Sequence, residues 1–316
     1  ARPPATSGGA SPTPAAPAFE TEAELDPARL TSDDKWILLR LDRAIREVTA
    51  AFAEYKFSDA TAALYRFFWS EFCDWYLECS KAALGSPDHA RKQARLAVLD
   101  FVLGHTLRLF HPFLPFITEE LWHGLGYSAD LPPDQGGRSI MTARWPQPLD
   151  ADFKDFYGLD ECYEAAVEAK FELVRQGRNL RRLFNLPSAQ KLNFILRPAE
   201  GVSPHEAEYL KVLLNAGTLT VDADYAPSQG TPQASNAVGT LYLPLAGLID
   251  PAAERARLGK ELEKIRAEVA KVQEKLGNPN FTQKVPPAVL AEHQQRLADW
   301  QARAAPGEEA PASLGQ

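Results

Sequence analysis

The sequence is poor in residues that form metal and disulfide sites. It contains three cysteines, Cys73, Cys79 and Cys162, which form no CxxC pair and have no histidine pattern near them. This usage is typical of reduced, buried thiols in a cytosolic protein and argues against a zinc site. No apolar run approaches the ~20 residues that a membrane-spanning helix needs, and the N-terminus carries no apolar signal core. We therefore expect a cytoplasmic protein without membrane contact.

The sequence also lacks a recognisable chemical centre. It contains none of the motifs GxxxxGK[ST], GxGxxG, GxSxG and HExxH. No arrangement of paired carboxylates stands out, and we expect His111, in the run His-Pro-Phe-Leu-Pro-Phe, to serve packing at a helix junction. We predict no catalytic residue, no metal ligand and no cofactor-binding residue in this chain.

Positive charge is outweighed by negative charge, with 34 Lys and Arg against 42 Asp and Glu. The net charge is -8 at pH 7, with 45% hydrophobic and 24% charged residues, which is ordinary for a globular protein. Any contact with nucleic acid must therefore come from local patches of cations and not from the overall field of the protein.

What is present predicts a mainly α protein in several parts. The first segment is rich in Ala, Pro, Ser, Thr and Gly and has no apolar period, and the chain does not begin with Met. We expect a linker there, in a piece of something longer or a processed product. The predicted parts are a flexible linker (1–30), a helical bundle (31–190), a small α/β unit (191–250), an antiparallel coiled-coil hairpin (251–303) and a disordered tail (304–316).

Apolar residues at helical spacing predict the elements of the bundle. Its helices are expected at about 34–52, 59–81, 88–108, from Pro115 onward and 161–184, with a loop over 127–150. A helical wheel with 100° per residue places Phe68, Phe72 and Trp75 of the second helix in the core. On this wheel Tyr65 and Trp69 lie at the edge of the apolar face, and Arg66 and Phe67 lie outside it.

Shorter apolar runs predict the α/β unit. Strands are expected at about 191–196, 219–222 and 237–243, with a helix at about 205–215 and a polar loop over 227–235.

The last part carries two separate stripes on one helix. The apolar residues alternate in steps of four and three, the spacing of a coiled-coil seam, and the returning helix offers apolar residues to face it. The seam comprises Leu258, Leu262, Ile265, Val269, Val272 and Leu276, and the facing residues are Leu290, His293, Leu297 and Trp300. Cations lie on the far side of the same helix, namely Arg257, Lys260, Lys264, Lys271 and Lys275. This cationic face suits phosphates, although a solvated coiled-coil surface is the plainer reading.

A further stripe of arginines, Arg175, Arg178 and Arg182, lies on the fifth helix. Guanidinium groups bind phosphate oxygens in a bidentate manner. The spacing equally fits a solvated face or salt bridges within the protein, so both interpretations stay open.

Seven segments then carry a family resemblance, in family order and over roughly residues 33–300. They are Asp34–Leu38, Glu71–Glu78, His111–Trp122, Ser139–Met141, Arg178–Arg181, Tyr242–Asp250 and Lys275–Phe281. Together they resemble the C-terminal half of valyl-tRNA synthetases; the early segments also fit the isoleucyl and leucyl relatives, and the last two indicate the valyl family. Pro286-Pro287 departs from the more frequent Ala-Pro.

The resemblance implies an anticodon-binding bundle of the class I synthetase type, a connecting α/β unit and a coiled-coil arm that reaches the tRNA elbow. It implies tRNA(Val) as partner, no DNA, and a monomer. ATP and Mg²⁺ are expected for the parent enzyme, a valine–tRNA ligase. The ATP-binding signatures HxGH and KMSKS are absent from this sequence, so we expect this chain alone not to activate valine.

Wheel positions and the resemblance together suggest three contact groups. We expect Arg43, Arg46, Arg66 and Phe67 near the anticodon loop. The stripe Arg175, Arg178 and Arg182 is expected to contact the tRNA backbone or brace the bundle. At the tRNA elbow we expect Lys260, Lys264, Lys271 and Lys275.

Two other functions fit the same residues. One is a free-standing, non-catalytic relative of synthetases that binds tRNA. The other is a structural protein whose bundle and hairpin serve assembly without RNA. A tRNA affinity that falls steeply with salt concentration would exclude the structural protein and would fit both functions that involve tRNA binding.

Overall fold

The computed structural model describes residues 25–130, 138–228, 230–245, 251–277, 289–290, 292 and 294–300. The chain divides into two compact units between Asp160 and Glu161, with the short stretch Leu77–Ala82 grouped with the second unit. Within the described residues the architecture is mainly α, with one small four-stranded sheet. The predicted fold class is confirmed. No helix in the described ranges has the length and apolar character to cross a bilayer.

The first unit is built from helices whose bounds largely follow the apolar periodicity. They are α1 (Ser32–Ala53), α2 (Phe57–Tyr65), a π-helical segment (Arg66–Leu77), α3 (Glu78–Leu84), α4 (His89–Phe110), α5 (Pro115–Gly124), α6 (Tyr127–Asp130) and α7 (Ala151–Tyr157). Helix α3 begins in the stretch that belongs to the second unit.

Helix α1 begins with a capping box. The Thr31 hydroxyl accepts a hydrogen bond from the Asp34 amide, and the Asp34 carboxylate accepts one from the Thr31 amide. These reciprocal bonds satisfy backbone donors that a helix start would leave free. Ile37 and Ile45 are fully buried, as the apolar period predicts.

The segment after α2 does not keep the period of an α-helix. Over Arg66–Leu77 the backbone is π-helical, so hydrogen bonds span five residues and not four. Phe67, Phe72 and Tyr76, at steps of five and four, are therefore the buried side chains. Phe68 and Trp75, which a wheel of 100° per residue places in the core, are only half-buried.

A buried ion pair joins α1 to α4 in this unit. Arg95 Nη1 lies 3.1 Å from Asp34 Oδ1, and both side chains are almost fully buried. The Tyr76 hydroxyl donates a 2.5 Å hydrogen bond to the same carboxylate, and the Arg95 guanidinium lies over the Tyr76 ring. Burial raises the pKa of Tyr76 well above its ordinary value, so its hydroxyl stays a donor.

The second unit contains the sheet. Its elements are α8 (Cys162–Leu183), β1 (Leu192–Pro198), α9 (Pro204–Leu213), β2 (Ala216–Val221), β3 (Gln233–Asn236) and β4 (Gly239–Tyr242). The strand order is β2-β1-β4-β3; β1 and β2 are parallel and joined through α9, while β4 pairs antiparallel with β1 and β3. Helix α8 lies in this unit, where it packs on the sheet. The predicted division of the chain into domains stays a prediction.

Gly177 allows the close approach of α8 to the sheet. A Cβ at this position would lie 2.5 Å from Leu214 Cδ2 and 2.8 Å from Leu241 Cδ2. Both leucines are buried, so neither can move aside without disturbing the core.

We predict that Gly177→Ala destabilises the chain relative to Gly259→Ala by about 1–3 kcal/mol, the usual cost of overpacking. Gly259 also lies inside a long helix, Pro251–Gly277, but a Cβ there meets nothing within 4 Å. The comparison offsets the gain in helix propensity that both alanines share. Urea denaturation followed by circular dichroism measures the difference; equal stabilities would contradict the close packing.

The coiled-coil part is a long helix followed by helical residues of a second one. Helix α10 runs over Pro251–Gly277, and the described residues between 289 and 300 are helical. Arg296 Nη2 lies 3.9 Å from Glu268 Oε2, so the two helices are in contact. Val272 of the predicted seam is buried, and Leu262, Ile265, Val269 and Leu276 are half-buried. The turn at 278–280, most of the predicted linker and the predicted tail lie outside the described residues.

Candidate nucleic-acid interface

Two of the predicted anticodon residues, Arg43 and Arg66, come together where α1 passes the π-helical segment. Arg66 forms an ion pair with Glu47, one turn beyond Arg43 on α1, and Arg66 Nε lies 4.0 Å from Glu71 Oε1. Burial raises the pKa of the Glu71 carboxyl, and the positive charges of Arg40, Arg66 and Arg43 oppose that shift. We refer to Arg43, Glu47, Arg66 and Glu71 as the bundle cluster.

Arg46, the third predicted arginine of this group, is engaged inside the first unit. Its Nε donates a 3.1 Å hydrogen bond to Asp42, and Nη2 donates one of 3.3 Å to the carbonyl of Leu149. Asp42 also accepts a 2.6 Å bond from Lys154 Nζ. Burial alone would raise the pKa of Asp42, but the bonds from Lys154 and Arg46 hold it below its ordinary value. Arg46 therefore holds Leu149, which lies just before α7, against α1.

Phe67, which we expected near the anticodon loop, lies in the core and is only 1% exposed. Its ring offers no face to a ligand in this conformation, which argues against a stacking role. Phe67 lies three or four residues after Ala63 and Leu64 of α2, which are also buried, so it continues their face of the helix. Tyr65 and Trp69 lie on the other side and are exposed.

The predicted arginine stripe on α8 binds mainly to the protein itself. Arg178 donates bonds of 3.2 and 2.8 Å to the carbonyl of Leu213, at the C-terminus of α9. Arg175 pairs with Glu172 at 2.7 Å, and the Arg182 guanidinium donates to the Asn179 side chain. Two of these contacts stay within α8, and Arg178 holds the end of α9.

Arg181 has the most important structural role of the arginines on α8, and the sequence did not single it out. Its guanidinium is 5% exposed and donates bonds to the carbonyls of Ser188, Gln190 and Asn215, at 3.3, 2.8 and 2.8 Å. These carbonyls follow the ends of α8 and α9, where backbone acceptors lack helical partners. Burial lowers the pKa of Arg181, and the charge of Arg178 adds to this effect.

The arginines of α8 line a cavity of about 690 Å³ in the second unit. Its wall includes Arg175, Arg178 and Arg182, together with Ser188 and Asn215. The cavity combines cations with hydrogen-bonding groups, which is a surface that phosphate oxygens can approach.

The lysines of α10 keep a solvent-facing arrangement. Lys260, Lys264, Lys271 and Lys275 are all exposed. Among the described side chains, Lys271 pairs with Glu268 at 2.6 Å, and the other three form no ion pair. We refer to these four residues as the lysine face. Its cations lie on one helix and are accessible to a polyanion.

Comparison with known proteins places these surfaces in two families. Residues 34–196, about half of the chain, match the family model described as the anticodon-binding domain of tRNA ligase. Residues 250–314 match the model described as the valyl-tRNA synthetase tRNA-binding arm. The first match contains the bundle cluster, and the second contains the lysine face.

Whole-chain similarity gives the same assignment. The chain is 34% identical to a valine–tRNA ligase of Listeria innocua over 282 residues, 36% identical to one of Bacillus subtilis over 276 residues, and 35% identical to one of Thermotoga maritima over 279 residues. These alignments cover 88%, 85% and 88% of this chain and 30% of each relative. The chain thus spans less than a third of the length of these relatives. It belongs to the family of anticodon-binding domains of tRNA ligases.

Proposed function

We propose that this chain is the tRNA-binding C-terminal portion of a valine–tRNA ligase, the enzyme that attaches valine to tRNA(Val) with ATP and Mg²⁺. The observation that supports it best is the succession, in one chain, of an anticodon-binding domain and a tRNA-binding arm, with valine–tRNA ligases similar over both. We further propose that the protein acts in the cytoplasm as a monomer.

In this proposal the chain binds tRNA at two distant places. The bundle cluster contacts the anticodon loop, because Arg43 and Arg66 present guanidinium groups that can bind phosphates or base edges. The lysine face lies along the backbone of the elbow, where an array of ammonium groups holds phosphates without reading sequence. Contact at both places fixes the orientation of the tRNA, so that its 3′ end reaches the site of aminoacylation.

The proposal assigns the chemistry of aminoacylation to the rest of the enzyme. In the described part of the chain no group of three or more His, Cys, Asp or Glu side chains could hold a metal ion. The sequence also lacks nucleotide-binding motifs.

The test of this function is a titration of labelled tRNA(Val) with the chain across a salt series, followed by fluorescence anisotropy. The logarithm of affinity should fall linearly with the logarithm of salt concentration, by roughly 0.7–0.9 per phosphate contacted. A tRNA with another anticodon should bind more weakly than tRNA(Val). Absence of binding at low salt would instead favour a structural assembly protein.

We predict that Arg66→Gln weakens binding of tRNA(Val) about tenfold or more, since a hydrogen bond to a charged group contributes roughly 1.5–3 kcal/mol. Arg29→Gln is the matched control, because Arg29 is also exposed and also pairs with a carboxylate, Asp26, at 3.0 Å. The two variants should have equal helicity. Equal affinities would remove Arg66 from the interface.

A further inference from the structure

Two large aromatic side chains are exposed on the π-helical side of the bundle. Tyr65, the last residue of α2, is 64% exposed, and Trp69 is 49% exposed. Their ring centroids lie 6.3 Å apart, with the planes tilted by 47°. Burial of such rings is the usual outcome in a helical bundle, since aromatic side chains contribute the largest apolar areas to a core. Two such rings exposed side by side therefore make this surface a candidate for binding, provided that groups able to bind a ligand lie beside them.

The exposed rings rest on a packed base. Trp69 contacts Phe68 edge-on, with centroids 5.4 Å apart. Phe68 in turn contacts Phe72 at 6.1 Å and Phe110 at 5.4 Å. The Trp69 indole thus contacts Phe68, which is itself held between two further rings of the bundle. A ring held in this way loses little conformational freedom when a ligand stacks on it.

The same surface carries the cations of the bundle cluster. Arg66 lies between Tyr65 and Trp69 in sequence and is itself exposed, and its ion pair with Glu47 ties it to the α1 surface that carries Arg43. Aromatic faces beside guanidinium groups are the combination with which proteins bind unpaired bases of RNA loops. Bases within a duplex are already stacked and offer no such face.

We propose that Tyr65 and Trp69 form a stacking platform for unpaired bases of an RNA loop whose phosphates bind Arg43 and Arg66. This inference rests on the proposed function and specifies its anticodon site. It also replaces Phe67, which is buried, by two exposed rings close to it in sequence. The ligand is a single-stranded loop of RNA, with contacts to base faces that tolerate different bases.

The test compares two short RNA hairpins in titrations with the full chain. One carries the anticodon stem and open loop of tRNA(Val), and the other has the same stem closed by a compact tetraloop. The double variant Tyr65→Leu/Trp69→Leu should lose between about fivefold and a hundredfold affinity for the open loop per stacked base. Its affinity for the closed hairpin should change little, and the salt slope should stay that of the wild type, since no charge is altered.

Two controls isolate the aromatic faces. The variant Tyr65→Phe/Trp69→Phe keeps both rings and should bind the open loop within about threefold of the wild type. Phe116→Leu removes a ring that is 91% exposed on α5, where its exposed neighbours Leu114 and Ile117 are apolar. This variant should bind as the wild type does. A 2-aminopurine base in the open loop should be quenched by the wild type and not by the leucine variant.

The outcomes separate this inference from the proposed function. If the wild type binds tRNA(Val) with a steep salt dependence and the leucine variant binds equally well, the stacking platform is overturned and the function stands. If the wild type binds no tRNA, both fail. Unchanged RNA binding together with self-association that the leucine variant loses would assign the two rings to a protein contact and overturn the proposal.

Discussion

Replacing Lys260, Lys264, Lys271 and Lys275 together by glutamate is expected to weaken tRNA binding by about a thousandfold near 0.1 M salt. Each lysine that neutralises a phosphate contributes roughly 0.7–0.9 to the slope of log affinity against log salt, so four contribute about three. The lysine face is exposed, and among the described residues only its Lys271 is paired with an acid, so its charge is available to RNA. Glutamates would add repulsion to the lost attraction.

The measurement is the same anisotropy titration across salt concentrations. The variant should show a flatter slope as well as a lower affinity, and the loss should be similar for every tRNA, because these contacts carry no sequence information. Helicity should be retained, since lysine and glutamate have nearly equal helix propensity.

A variant with the same change in net charge controls for a general electrostatic effect. Glutamate at four exposed lysines outside α10 serves this purpose, namely Lys56, Lys81, Lys92 and Lys211. If the two variants lose equal affinity for tRNA, the loss reflects net charge in general, and the lysine face has no special role in binding. A difference of more than about tenfold locates the contact on α10.

The second large effect concerns stability. Arg95→Leu is expected to destabilise the first unit by about 3–5 kcal/mol, the usual result of removing one partner of a buried ion pair. It leaves the Asp34 carboxylate without its counter-charge in a region that excludes water. The Tyr76 hydroxyl and the Thr31 amide still donate to Asp34, but they do not neutralise it.

Urea denaturation measures this prediction, and two further variants sharpen it. Lys92→Leu introduces the same side chain at an exposed position of α4 and should change stability by less than about 0.5 kcal/mol. Asp34→Asn combined with Arg95→Leu removes both charges and should be less destabilising than the sum of the two single variants. A loss below about 1 kcal/mol for Arg95→Leu would show that the pair is solvated.

The sequence predicted best those helices in which apolar residues recur at helical spacing over several turns. Helices α1, α8 and α10 lie within a few residues of their predicted bounds, because each has an apolar stripe over several turns. Local chemistry also marked the start of α1, where Thr31 and Asp34 form the capping box. Signals of this kind are contained in neighbouring residues and need no knowledge of tertiary contacts.

Short or polar elements escaped prediction. Strand β3, Gln233–Asn236, lies in the predicted loop over 227–235 and just beyond it, since its side chains are polar and alternate only between exposed and half-buried. It forms because β4 supplies its backbone partners on one side. Helix α7, with seven residues, is too short for a period to be visible. Both depend on contacts that no local pattern contains.

The RNA contacts of the candidate site stay predictions, but the placement of its residues can be compared with the sequence analysis. The lysine face is exposed, and Arg43 and Arg66 lie near one another. The wheel left Phe67 outside the apolar face and widened that face with Tyr65 and Trp69, whereas Phe67 is buried and the other two rings are exposed. It also gave no sign that Arg181 would be the buried arginine, since its acceptor at Asn215 lies 34 residues away.

The two stripes of α10 have a consequence for how such an arm can change in length. Within this 27-residue helix the lysine face, from Lys260 to Lys275, lies on a different side from the seam residues Leu262 to Leu276. An insertion of seven residues adds two helical turns, or about 10.5 Å, and keeps both stripes in phase along the helix. An insertion of two or five would rotate the distal lysines toward the neighbouring helix. Natural arms of different reach should therefore differ by whole heptads.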